Sequence, residues 1–173
     1  MQTSDDSYSP SLSISEKIDR AITLHSTQGS SLREDPTVDA LIRRLNRNVE
    51  TTRETMLRLG VVAECKHCEE EEGGSCCGAG IENRYDEVLL LMNLLLGVRL
   101  PTLQQDQSSC YLLGKDGCTL MVRHVLCVNY LCSKLRDKLS HEELTRLQAC
   151  AGEELDTGFI LYETIKKRLR VTP

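Results

Sequence analysis

Apolar residues return at helical intervals along four stretches of the chain, and three of these open on a recognisable start signal. Ser13 and Glu16 have capping-box spacing, and Ile14, Ile18, Ala21, Ile22 and Leu24 then give a short apolar face to a first helix. Asp35 is placed to cap a second helix whose first position is Pro36, where no backbone donor is needed. Its apolar stripe, Val38, Leu41, Ile42, Leu45, Val49, Met56 and Leu59, runs until Gly60. A third helix is predicted from about Ile81 to Val98, stopping before Pro101, and its nearly continuous apolar run from Val88 reads as a buried core helix. Ser140 and Glu143 repeat the capping-box spacing and open a long helix to about Arg170, with Leu144, Leu147, Ala151, Leu155, Tyr162, Ile165 and Leu169 on one stripe. Gly152 and Gly158 are points at which that helix is expected to bend or divide. Strand signals are weak, and Gly117 to Met121 supports one short strand at most.

Amphipathic helices with short connections predict an all-α helical bundle, with the cysteine-rich segments packed as loops and short helices at one end. The first ten residues are polar and are expected to form a disordered tail, leaving residues 11–173 as a single domain. Composition agrees with helices. The chain has no Trp and one Phe, so its core must come from Leu, Ile, Val, Met and Ala.

A formal charge of −5 argues against a nucleic-acid partner or an anionic membrane surface, either of which needs excess Lys and Arg. The basic run Lys166, Lys167, Arg168, Arg170 falls at the end of a predicted helix, where positive charge complements the dipole. No secretory signal is visible in residues 1–30, and no apolar run reaches the roughly 18 residues of a membrane span. A cytoplasmic protein is expected. There, nine cysteines should be reduced thiols available to a metal, with disulfides the competing reading.

Eight of those cysteines lie between residues 65 and 132: Cys65, Cys68, Cys76 and Cys77, then Cys110, Cys118, Cys127 and Cys132. A C-x2-C spacing lets two thiolates converge on one ion, as in many zinc and iron–sulfur sites. Gly73 and Gly74 permit the turn that returns Cys76 and Cys77 toward Cys65 and Cys68. Adjacent cysteines do not easily face one tetrahedral ion together, so Cys76 and Cys77 should serve different sites or leave one thiol spare. His67 and His124 stand beside cysteines as possible further ligands. Glu69, Glu70, Glu71 and Glu72 offer oxygens but read first as a solvated acidic loop, and Cys150 reads as a buried thiol on the last helix.

In their order these cysteines resemble the YkgJ-like family of zinc- or iron-chelating cysteine-cluster proteins. That family's signature is C-x2-C-x2-C-C, then C-x-F-L, a glycine before a cysteine, an I-Y pair, R-P and two closing cysteines. Cys65, Cys68, Cys76 and Cys77 match the first run with five extra residues, while Cys110-Tyr111-Leu112-Leu113, Gly117-Cys118, Arg123-His124, Cys127 and Cys132 match the second. His124 stands where the family has proline, and the closing spacing is one residue short. The resemblance implies chelation of zinc or iron, including an iron–sulfur cluster, through these eight positions, and no single reaction. Some relatives are described as flagellin lysine methylases, which are larger proteins.

Two functions follow as expectations: a metal-binding protein with a structural or redox role and an unidentified protein or redox partner, or an iron–sulfur or zinc-dependent enzyme, methylase-like or an oxidoreductase. Glu82 is a candidate base for the enzyme reading. Lys66, Arg84, Lys115 and Arg123 are candidates to offset the charge of a metal–thiolate centre. Phosphate-loop, dinucleotide, G-x-S-x-G and H-E-x-x-H motifs are absent from the sequence.

Overall fold

Residues 12–72 and 76–171 are described by the computed structural model of the protein. Helices α1 (Ile14–Glu34) and α2 (Pro36–Arg58) are followed by α3 (Val61–Glu71), a 3-10 turn (Ile81–Arg84) and α4 (Glu87–Leu95). Strands β1 (Leu113–Gly114) and β2 (Gly117–Cys118) form a small hairpin, and α5 (Val125–Asn129), α6 (Ser133–Lys138) and α7 (His141–Val171) complete an all-α fold. The expected tail, residues 1–10, lies outside the described residues, as do Gly73 and Gly74.

The start signals act as expected. Ser13 Oγ accepts from the Glu16 amide at 3.3 Å while Glu16 accepts from the Ser13 amide at 2.8 Å, and Ser140 with Glu143 repeats both bonds. Asp35 accepts from the Thr37 and Val38 amides at 2.9 and 3.1 Å, and Arg168, in the basic run of α7, reaches it at 2.7 Å. These bonds hold three carboxyls below their ordinary values. Glu16 is lowered chiefly by the Ser13 hydroxyl, Asp35 by the Val38 amide and then Arg168, and Glu143 by the Ser140 amide. A depressed folded pKa adds stability above the unfolded value and loses it as pH falls through the folded one. The melting temperature by circular dichroism is therefore expected to be flat above about pH 5 and to fall below about pH 4. A melting temperature unchanged down to about pH 3 would show that the caps contribute nothing.

Helix α7 packs along α2, and α1 along α4. The largest core cluster joins Leu45 and Val49 of α2 to Leu91 and Leu95 of α4 and to Leu161 and Ile165 of α7. A second cluster sets Ile14, Ile18 and Ala21 of α1 against Tyr85, Leu90, Cys110, Leu112 and Leu120. A third joins Met56, Val61, Leu135, Leu139 and Leu147. Ile22 falls off the buried face of α1 and is 46% exposed. Among the described residues no helix is long and apolar enough to cross a membrane.

The structure departs from expectation at several points. The third predicted helix is broken, because Asp86 caps α4 through the Leu89 amide at 2.8 Å and Tyr85 before it is extended. Cys65 and Cys68 of the C-x2-C spacing lie on a helix, α3, because Gly60 at φ 72 reverses the chain and lets a new helix start at once. The single strand is a two-stranded hairpin pairing Leu113 with Cys118. Helix α7 runs unbroken through Gly152 and Gly158, since packing against α2 outweighs their propensity cost.

Candidate metal centre

No disulfide joins any of the nine cysteines. Cys65 and Cys68 stand one helical turn apart on the same side of α3, Cys132 caps the start of α6, and Cys76 and Cys77 lie in the turn that leads to Gly78. Cys110 closes the loop before β1, Cys118 ends β2 and Cys127 is carried on α5.

By the charges that act on them, the thiols of the cluster sort into two neighbourhoods. In the first, burial and then Cys132, Cys76 and Cys68 push the Cys65 thiol pKa up. Burial, Cys132 and Cys68 do the same to Cys76. Lys134 Nζ lies 3.8 Å from Cys68 Sγ and pairs with Glu72. Cys65 and Cys76 are open to solvent as whole residues, while the sulfur of each is partly enclosed by its neighbours.

The second group, Cys77, Cys110, Cys118 and Cys127, is set into the α1–α4 core cluster at its first three members. The Cys110 amide donates to the Cys77 carbonyl at 2.6 Å, and the nearby Leu112 and Leu120 amides ease the ionisation of Cys110 and Cys118. Burial, with Glu82, Cys118 and Cys77 nearby, pushes the Cys110 thiol up to about 12. Tyr85, 2% exposed, accepts from the His124 amide at 3.0 Å and donates to Cys127 Sγ at 3.8 Å. That pins α5 and its cysteine to the segment before α4.

Among the described residues no three Cys, His, Asp or Glu side chains are drawn tightly enough together to hold an ion as they stand. The thiols are nevertheless close enough for their charges to act on one another, and each ionised sulfur opposes the ionisation of the next. A bound cation reverses that opposition and deprotonates the set. Cysteine thiolates are the donor chemistry that zinc and iron take.

His67 is exposed, with Nε2 3.5 Å from Glu72 Oε1. His124 accepts the Leu126 amide through Nδ1 at 3.3 Å and lines, with Arg84, Arg123, Glu154 and Phe159, a cavity of about 310 Å3. Burial, with Arg84 beside it, holds the His124 pKa below the ordinary histidine value. The acidic run is not merely a solvated loop: Glu69 accepts from Ser109, Glu70 lies 3.6 Å from Lys66, and Glu72 pairs with Lys134. Glu82 is buried, and its carboxylate accepts the Gly80 amide at 2.9 Å, which makes it a turn-fixing group. Cys150 is half-buried on α7, 3.8 Å from Thr55 Oγ1 and apart from both groups.

Sequence reasoning missed Arg53, Tyr85 and Glu154. No local pattern marks them, because their partners, Leu120 for Arg53, His124 for Tyr85 and Arg123 for Glu154, lie far away along the chain. Comparison of the chain with family models, with curated proteins and with solved structures returns no match.

Proposed function

We propose that the protein is a metal-binding protein that chelates zinc or iron, the iron as ions or as an iron–sulfur cluster, through two groups of four cysteines, with a structural or redox role in the cytoplasm. What supports this reading is that the thiols act on one another in two neighbourhoods: Cys65 and Cys76 respond to Cys132 and Cys68, while Cys110 responds to Cys118 and Cys77 and its amide donates to the Cys77 carbonyl at 2.6 Å. A C-C pair split in this way supplies one ligand to each centre and ties the two together through a single peptide bond. The resemblance to the cysteine-cluster family supports the same eight ligands. Unlinked thiols fit a reducing compartment and a partner that is a protein or a redox carrier.

Elemental and sulfide analysis of protein purified without oxygen tests the proposal. About two zinc or iron ions per chain, or iron with matching inorganic sulfide, are expected, zinc being colourless and an iron–sulfur cluster brown and bleached on reduction. Serine at Cys65, Cys68, Cys118 or Cys127 should remove about half of that content, whereas Cys150→Ser should retain all of it. A folded protein carrying neither zinc nor iron would overturn the reading.

A further inference from the structure

The cavity that His124 lines lies where α2, α4, α5 and α7 come together, and the metal-binding reading makes no use of it. Leu45, Leu89, Val122, Leu155 and Phe159 make its wall largely apolar, and Phe159 is 67% exposed, so the cavity is open on that side. At about 310 Å3 it has the size of a small-molecule site at the lower end of their range. Its charged lining balances, with Arg84 and Arg123 against Asp86 and Glu154. Asp86 is already engaged, since it accepts from the Leu89 amide at 2.8 Å and from the Tyr162 hydroxyl. Arg84 is exposed to water.

Arg123 and Glu154 are different. Arg123 Nε and Glu154 Oε2 are both shielded from solvent and both without a hydrogen-bond partner, and among the described residues they are the two side-chain atoms in that condition. Glu154 as a whole is 3% exposed, with burial opposing its ionisation and Arg123 favouring it. An orphaned donor and an orphaned acceptor each carry the cost of desolvation without the bond that offsets it. That both belong to residues of one cavity wall points to a missing occupant rather than to two unrelated defects. The Nε–H of a guanidinium can only donate, and a carboxylate oxygen accepts. A carboxamide meets both needs in one planar unit, its oxygen accepting from Arg123 and its N–H donating to Glu154, and it brings no charge to upset the balance. Water can serve the two atoms but not the apolar wall around them.

We propose that this cavity is a binding site for a small neutral molecule with an apolar body and a carboxamide head, the body against Leu45, Leu155 and Phe159 and the head between Arg123 and Glu154. The site does not rest on the metal-binding reading and stands or falls without it.

Benzamide is the probe, titrated into the full chain by calorimetry or ligand-observed NMR beside benzoate and benzamidine, which keep the ring and replace the head by an anion or a cation. Wild-type protein is expected to bind benzamide with a dissociation constant on the order of 1 mM, and each ion about tenfold more weakly because it meets one like charge. Arg123→Met should weaken benzamide by about fivefold or more and tighten benzamidine, whereas Glu154→Leu should weaken benzamide to a similar extent and tighten benzoate. A gain of the opposite probe in each variant is something a misfolded chain does not produce. Wild-type protein that binds benzamide no more tightly than either ion, or binds none of the three, overturns the assignment and leaves the cavity to water. Variants that keep the wild-type order of the three probes overturn it as well.

Discussion

Asn93→Ala is expected to cost on the order of 3–5 kcal/mol of folding free energy, and to empty the second cysteine group as it does so. Asn93 is fully buried on α4. Its Oδ1 accepts from the Met121 and Val122 amides, both at 2.9 Å, and its Nδ2 donates to the Leu89 and Val122 carbonyls at 3.0 and 2.9 Å. Every hydrogen-bonding position of the side chain serves the backbone, and three of the four bonds strap the segment leading from Cys118 to His124 onto α4. Alanine leaves two amides and a carbonyl without partners in a site that water does not reach, so the penalty is that of orphaned groups rather than of one lost bond. For a chain of this size the melting temperature should fall by roughly 10 °C or more. Asn93→Asp keeps both acceptors but cannot donate to Val122 and buries a charge, so it should not rescue. A melt of Asn93→Ala within about 2 °C of wild type would show that the strap relaxes without loss.

The two cysteine groups should respond differently to loss of a sulfur, and the difference is clearest without metal. In metal-free protein, Cys110→Ser should melt lower than wild type, because its thiol is 6% exposed and packed among Leu90, Leu112 and Tyr85, where a hydroxyl needs a partner. Cys65→Ser, on the solvent side of α3, should melt as wild type does. With metal present, each variant should lose one equivalent and the stabilisation linked to it. At a free metal concentration about a hundredfold above the dissociation constant that stabilisation is about 2.7 kcal/mol, or roughly 5–10 °C here. Equal melting of the two variants in metal-free buffer would refute a core position for the second group. A metal-induced rise undiminished in either variant would instead remove that cysteine from the ligand set.

Much of the scaffold is legible along the chain because its signals are local. Ser13 with Glu16, Asp35 with Pro36, and Ser140 with Glu143 act through amides within a few residues, so each helix start is written where it occurs. The apolar spacing that follows each start sets which face turns inward, and the order of cysteines from Cys65 to Cys132 marks the segment that carries the chemistry. Adjacency predicts that Cys76 and Cys77 serve different sites or leave one thiol spare. Which sulfurs feel one another's charge is decided by the tertiary structure: it depends on α3 lying near α6, which brings Cys132 near Cys65, and on the segment before the hairpin meeting the turn at Cys77. The same holds for the break at Tyr85. Its hydroxyl is useful only where α5 passes overhead, and no apolar period along residues 81–98 records that crossing. Arg53 carries the point furthest. In sequence it is one more polar position on α2, and only the fold brings its guanidinium to the Leu120 carbonyl and beside Arg123.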